Sequence, residues 1–168
     1  MKIDVKTLYK DAIVLIDICC FIENGIGCQK FFIKSVPYLK ETGCRIQIAY
    51  KCVQELDKIR NDSSKPEIKR KSAKGAIEVI NVMASEGLLD VRGKDTDSFG
   101  NSIILQNLIR YFVKYNVVLI TQDRGLASDA ECINHFISVT SKKKIIVKNL
   151  DKNGNIIDII PRKKENCV

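Results

Sequence analysis

Two apolar runs in this chain each stop on a carboxylate: "AIVLID" ends at Asp17 and "VVLITQD" at Asp123. An acid at the end of a buried strand is partly desolvated and needs a partner, which can be a helix N-terminus, an arginine or a cation. Capping of the next helix accounts for either acid alone, because Asp is a preferred cap. Two such acids in one chain strengthen the case for a shared role. Glu55 adds to it, in "VQELDKI" beside Asp57, although an exposed helical glutamate needs no explanation of its own. "KDTDSFGN" supplies Asp95 and Asp97 ahead of a long helical pattern, where each taken singly would cap that helix. If these acids converge at one edge, their like charges cannot coexist unless they are protonated or bridged by cations. An all-oxygen donor set selects a hard divalent ion, Mg²⁺ or Mn²⁺, over zinc or copper. Such an ion can activate water and stabilise charge on a phosphate under attack.

Other chemistries drop out. His135 is the sole histidine, so a metal-free ribonuclease using two histidines as acid and base is excluded. Neither a Walker A loop nor a G-x-G-x-x-G turn occurs, which weakens nucleotide-binding readings. The seven cysteines, at 19, 20, 28, 44, 52, 132 and 167, form no C-x-x-C pair, so a structural zinc site lacks suitably spaced ligands. Free, mostly buried thiols in a reducing cytoplasm are expected. No apolar run approaches the ~18 residues of a membrane helix. Lys2 and Lys6 imitate the start of a signal peptide, but Asp17 interrupts the apolar run and no small-residue cleavage site follows Cys19-Cys20.

The net charge of +8 is unevenly spread. Lys58, Arg60, Lys65, Lys69, Arg70, Lys71 and Lys74 form one stripe, Lys142, Lys143, Lys144 and Lys148 a second, and Arg162, Lys163 and Lys164 lie in the tail. The first stripe, with Arg124 beside Asp123, is the candidate contact for a polyanion such as nucleic acid. Runs of this kind also serve as plain solvated faces. Aromatic content of 7%, without tryptophan, argues against a base-stacking platform.

Positioning these groups falls to alternating strand-like and helix-like periods. At 168 residues and 45% hydrophobic content, one domain with a real core is expected. "AIVLID" reads as a strand covered on both faces. Gly25 and Gly27 mark a loop, and Phe31, Phe32, Val36, Tyr38 and Leu39 line a helix that Pro37 should shorten or kink. "RIQIAY" alternates as a second strand, and "KCVQELDKIR" is helical. Pro66 suits a helix start, with Ser63 or Ser64 as cap. "LLDV" is a brief third strand, followed by the acidic loop and a long helix through Phe112. "VVLIT" is the fourth strand, "RGLASDAECI" a short helix, "FISV" a fifth strand, and "KKIIVKNLDKNGNIIDII" a hairpin turning at Asn153-Gly154. Such alternation predicts a mostly parallel α/β sheet, with ligands bound beyond the carboxyl ends of its strands. Residues 1–140 should form the main body, and 141–168 a hairpin and basic tail extending the same domain.

The order of motifs resembles the PIN domain family of metal-dependent nucleases. The matching stretches are "VLIDICCFI", "VQELDKI", "DSFGNSIIL" and "LITQDRGL", over roughly Ile13 to Val139. The second and fourth are the most specific, and are similar to the PIN domains of nonsense-mediated decay endonucleases and PhoH-type proteins. The resemblance implies a three-layer sandwich around a five-stranded parallel sheet in the order 3-2-1-4-5, with strands one and four adjacent. It further implies that Asp17, Glu55 and Asp123 are metal ligands and that Thr121 supports the site by hydrogen bonding. The third motif departs from the family: Asn101 stands where an aspartate usually opens the long helix. Asparagine offers a carbonyl oxygen to Mg²⁺ but no charge, and Asp97, four residues earlier, is expected to swing into its place.

The expected function is a Mg²⁺- or Mn²⁺-dependent endoribonuclease acting on single-stranded RNA. Asp17, Asp123 and Asp97 or Asn101 would hold the metal, with Glu55 coordinating it or orienting the attacking water. A PIN-like module that binds RNA or a protein and cuts nothing is the rival, kept in play by Asn101. A toxin silenced by an antitoxin-like inhibitor is a weaker third reading, since the family's toxins are usually shorter and lack this hairpin. The sequence leaves a homodimer or larger complex open.

Overall fold

The computed structural model describes residue 9 and residues 12–98, 100–137 and 143–162. Strands β1 (Ala12–Ile16), β2 (Ile46–Ala49), β3 (Leu89–Arg92), β4 (Asn116–Ile120), β5 (Ile145–Leu150) and β6 (Ile156–Asp158) form one sheet in the order β3-β2-β1-β4-β5-β6. Every pairing is parallel except the last, β5 with β6. The two continuously apolar runs, β1 and β4, lie side by side at the centre, where both faces of a parallel sheet must be covered. Their register sets Ile16 opposite Ile120, so both strands end at the same level.

The helices are α1 (Cys19–Glu23), α2 (Gly25–Thr42), α3 (Tyr50–Asn61), α4 (Glu67–Ser85), α5 (Asn101–Phe112) and α6 (Arg124–Ile137). Helices α1, α2 and α3 pack against α4, whereas α5 packs against α6 and β4. Leu56 of α3 and Leu108 of α5 reach the core without residual exposure, each contributing about 2 kcal/mol of apolar burial. No described helix is long and apolar enough to cross a membrane.

Several expectations need correction. Helix α2 runs unbroken through Pro37 for 18 residues; Pro37 lies on its exposed side, where water can take the carbonyl the ring leaves unbonded. Helix α4 starts at Glu67 with Pro66 at its cap position and no side-chain cap, because Ser64 donates instead to Asp62 at 2.6 Å. "FISV" is not the fifth strand: Phe136 and Ile137 complete α6, and residues 138–139 lie outside the described set. The first arm of the expected hairpin takes that place as β5, paired with β4. The expected C-terminal hairpin is present as antiparallel β5–β6, and because β5 also pairs with β4 the sheet has six strands.

The hairpin loop is also longer than an Asn-Gly turn, spanning 151–155. Asp151 Oδ1 organises it by accepting the N–H groups of Asn153 at 2.8 Å and Asn155 at 2.9 Å. Gly154 adopts φ 72° there, and a Cβ on it would strike the backbone of Phe31. Only glycine fits both demands.

Candidate active site

The ladder between β1 and β4 continues one step past both strands, with Asp17 N–H donating to the Ile120 carbonyl at 3.0 Å. Asp17 and Thr121 thus leave adjacent strands together. Thr121 Oγ1 donates to Asp17 Oδ2 at 2.8 Å and accepts the Asp123 N–H at 2.9 Å, so one buried hydroxyl ties the two acids. Asp17 is only 4% exposed. Burial raises its pKa, hydrogen bonds from Cys19 and Thr121 act against that rise, and the nearby charge of Asp123 adds to it.

Asp123 opens α6. Its Oδ1 accepts the N–H groups of Gly125 at 2.7 Å and Leu126 at 3.1 Å, an N-cap in the usual sense. Its Oδ2 accepts from Asn101 Nδ2 at 3.0 Å. Partial burial works against ionisation here. The Asn101 amide, the two backbone N–H groups and the positive charge of Arg162 outweigh it and hold the carboxyl below its usual range.

Glu55 arrives from α3, which follows β2 without a linker. Cys52, Glu55 and Ile59 share one face of that helix by their three- and four-residue spacing. Glu55 Oε1 accepts the Gly100 N–H at 2.9 Å, supplying from another helix the cap that α5 lacks. Gly100 holds φ 63°, which turns the chain so that this N–H faces Glu55.

Asp17, Glu55, Asn101 and Asp123 line one cavity of about 220 Å³, with Cys19, Glu23 and the apolar Ile22 and Ile59 in its walls. Convergence of acids from strand ends and a helix is therefore present in the fold. Asp97 does not join them. It folds back on its own loop, accepting the Lys94 N–H at 2.6 Å, and Asn101 rather than Asp97 stands beside Asp123. Asp95 caps nothing either: it accepts from Gln54 at 2.8 Å and pairs with the buried Lys51 at 3.3 Å. Asp57 pairs with Arg60.

Three site residues escaped the sequence. The Cys19 thiol donates to Asp17 Oδ2 at 2.6 Å and its sulfur accepts the Gln122 N–H at 3.0 Å; recognising a helix start in "DICC" would have placed it. Glu23 follows from Cys19 by the same helix. Arg162 had no local signal. It is brought near Asp123 by a return of the chain, in which Arg162 N–H donates to the Arg124 carbonyl at 3.1 Å and Arg124 Nε to the Ile160 carbonyl at 2.8 Å.

The basic stripe does not act as one block. Lys69 pairs with Glu23 at 3.8 Å and Lys71 with Glu67 at 2.7 Å. Arg70 is half-buried, with its Nε lacking a partner. Lys65 and Lys74 are exposed, and Lys58 borders a different hollow beside Lys51 and Asp95. Lys148 pairs with Asp158; Lys142, Lys163 and Lys164 lie outside the described residues, as does Cys167. Cys19, Cys20, Cys28, Cys44 and Cys52 are free thiols. Cys132 is half-buried on α6. Burial encloses Cys20, Cys28 and Cys52.

Carboxylates and an amide are groups of the kind that hard cations take, and Asn101 here faces Asp123 with its NH₂. The spacing is loose: among the described residues no three His, Cys, Asp or Glu side chains stand ready to hold an ion as placed. No family model matches the chain, and no curated protein matches it significantly.

Proposed function

We propose that the chain is a PIN-like, three-layer α/β domain of the cytoplasm that hydrolyses phosphodiester bonds of single-stranded RNA in a Mg²⁺- or Mn²⁺-dependent reaction. The observation that carries this reading is the meeting of Asp17, Glu55 and Asp123 in one cavity, with Asp17 buried and its proton affinity raised. A buried acid without a cationic partner lowers stability, and such groups cluster at functional sites. Asp17, Glu55 and Asp123 would hold the ion, with the Asn101 side-chain oxygen as a fourth donor after rotation of its amide. When bound, the ion supplies water activation and stabilises charge on the phosphate.

The chain's own groups do the positioning. Thr121 locks Asp17 and Asp123 into one relative placement, and α6 fixes Asp123 through its cap. Glu55, anchored by Gly100, keeps its other oxygen to orient a water in the cavity. Ile22 and Ile59 keep the walls apolar, which strengthens each electrostatic contact within.

One observation favours a second reading, a catalytically weakened module that binds RNA or a protein without cutting. Asn101 presents its NH₂ group to Asp123, a neutral donor in the place of a cation, and Asp97 does not compensate. A labelled single-stranded RNA incubated with Mn²⁺ or with EDTA, beside Asp17→Asn and Asp123→Asn, separates the two. Metal-dependent cleavage lost in both variants supports the nuclease. Equal residual cutting by wild type and variants marks contamination and leaves the binding module.

A further inference from the structure

A larger groove of about 820 Å³ adjoins the acidic cavity, and Ile22 and Glu23 border both. Three parts of the fold build this groove: the α1–α2 corner, the outer face of α4, and the tip of the β5–β6 hairpin. Lys30 comes from α2, Lys69 and Lys71 from α4, and Lys152 from the hairpin, against Glu23 as the sole acid among the described residues of the lining. Ile26 and Ile68 are 70% and 74% exposed beside these lysines, an apolar floor under a cationic rim.

The hairpin wall is fixed in place. Asn24 Nδ2 donates to the carbonyls of Leu150 at 2.9 Å and Asp151 at 3.0 Å. Lys34 Nζ donates to the Asn153 carbonyl at 2.8 Å and to Asn155 Oδ1 at 2.7 Å. Gly154 is buried against the backbone of Phe31. Lys152 is therefore held over the groove by a rigid loop, and it is exposed. Among the described residues, the side chains of Lys30 and Lys152 make no hydrogen bond or ion pair. Lys69 meets Glu23 at 3.8 Å and Lys71 meets Glu67 at 2.7 Å, exposed contacts that an incoming phosphate can replace.

We propose that this groove seats the backbone of a single-stranded polynucleotide on its way into the acidic cavity, with Lys30 and Lys152 fixing its path. The direction of entry rests on the nuclease reading above; the binding of the polyanion does not. Spaced cations along an elongated hollow suit successive phosphates, and the apolar floor suits unpaired bases without selecting among them. The hairpin, which lies outside the motifs of the nuclease family, thereby gains a role as the second wall of the substrate path.

The test is fluorescence anisotropy of a labelled oligouridylate with the full chain in EDTA, titrated over salt, using wild type and Lys30→Gln/Lys152→Gln. A Lys114→Gln/Lys144→Gln double variant, away from the groove, controls for net charge. Single-stranded binding loses about 0.7 in log–log salt slope per phosphate contact, so four lysines give a slope of about −2.8 and two about −1.4. At 0.1 M salt this corresponds to affinity about 25-fold weaker for the groove variant, with the control close to wild type. An unchanged slope, an equal loss in the control, or displacement of the RNA by polyglutamate at matched charge overturns the proposal. The two readings fail separately. Binding that behaves as expected without Mn²⁺-dependent cleavage keeps the groove and removes the nuclease; cleavage with unchanged KM in the groove variant does the reverse.

Discussion

Replacing Asn101 with Asp probes the weakest point of the site. The substitution removes the Nδ2 donor that lies 3.0 Å from Asp123 Oδ2 and puts a carboxylate in its place. A hydrogen bond to a charged group contributes about 1.5–3 kcal/mol. Two unit charges ~3 Å apart repel by about 1.4 kcal/mol in water and about 5.5 kcal/mol at an effective dielectric of 20. Asn101 is exposed and Asp123 half-buried, so the low end applies and the side chains can rotate apart. The sum at the low end is a destabilisation of about 3 kcal/mol, or ~6–12 °C in melting temperature for a chain of this size. Thermal melting in EDTA should show that drop. Mn²⁺ at about a hundred times its Kd restores ~2.7 kcal/mol by binding only the folded state, and cleavage should rise at least about tenfold over wild type as the missing ligand charge is supplied. A variant that melts like wild type in EDTA and gains nothing from Mn²⁺ refutes the view that Asn101 stands in for a cation-binding acid.

Other perturbations follow from the same geometry. Asp17→Asn should raise stability at neutral pH by about 0.5–2 kcal/mol while abolishing cleavage. Its sign follows from the raised pKa: the folded chain keeps a proton that the unfolded chain releases, so wild-type stability falls as pH rises through that pKa. Melting curves of the two proteins should therefore separate as pH rises from about 4, and parallel curves would contradict the burial argument. Asp123 behaves oppositely, its lowered pKa giving stability that is present above the ordinary aspartate range and lost in acid; Asp123→Ala, which also removes the α6 cap, should cost ~1–2 kcal/mol in denaturant titration at pH 7. Thr121→Val removes the hydroxyl that ties both acids and should cost about 1–3 kcal/mol with a loss of cleavage. Gly154→Ala forces a side chain into positive φ and into the Phe31 backbone, for an expected loss of ~1–3 kcal/mol by chemical denaturation and weaker RNA binding as the hairpin shifts.

Much of this architecture was legible in the sequence because it depends on short-range pattern. The uninterrupted apolar runs of β1 and β4 marked central strands, and the acids after them fell at the edge where ligands bind. Glu55 was legible from its helix, but its contact with Gly100 was not, since that hydrogen bond joins residues 45 positions apart. The fifth strand was misplaced because "FISV" is apolar in either a strand or a helix, and periodicity cannot separate the two over four residues. Pairing with β4 selected Ile145–Leu150 instead. Asp97 failed for a local reason: a carboxylate three residues after Lys94 finds that residue's N–H before it can reach Asp123. The lysine groove drew on α2 and the hairpin as well as the basic stripe, a grouping that only tertiary contact creates.

The most direct measurement is an anomalous difference map from crystals soaked in Mn²⁺. A peak is expected in the cavity bounded by Asp17, Glu55 and Asp123, with the Asn101 amide turned to offer its oxygen, and its loss in Asp17→Asn. A cavity without a peak at millimolar Mn²⁺, with Asn101 still donating to Asp123, contradicts the proposed metal site.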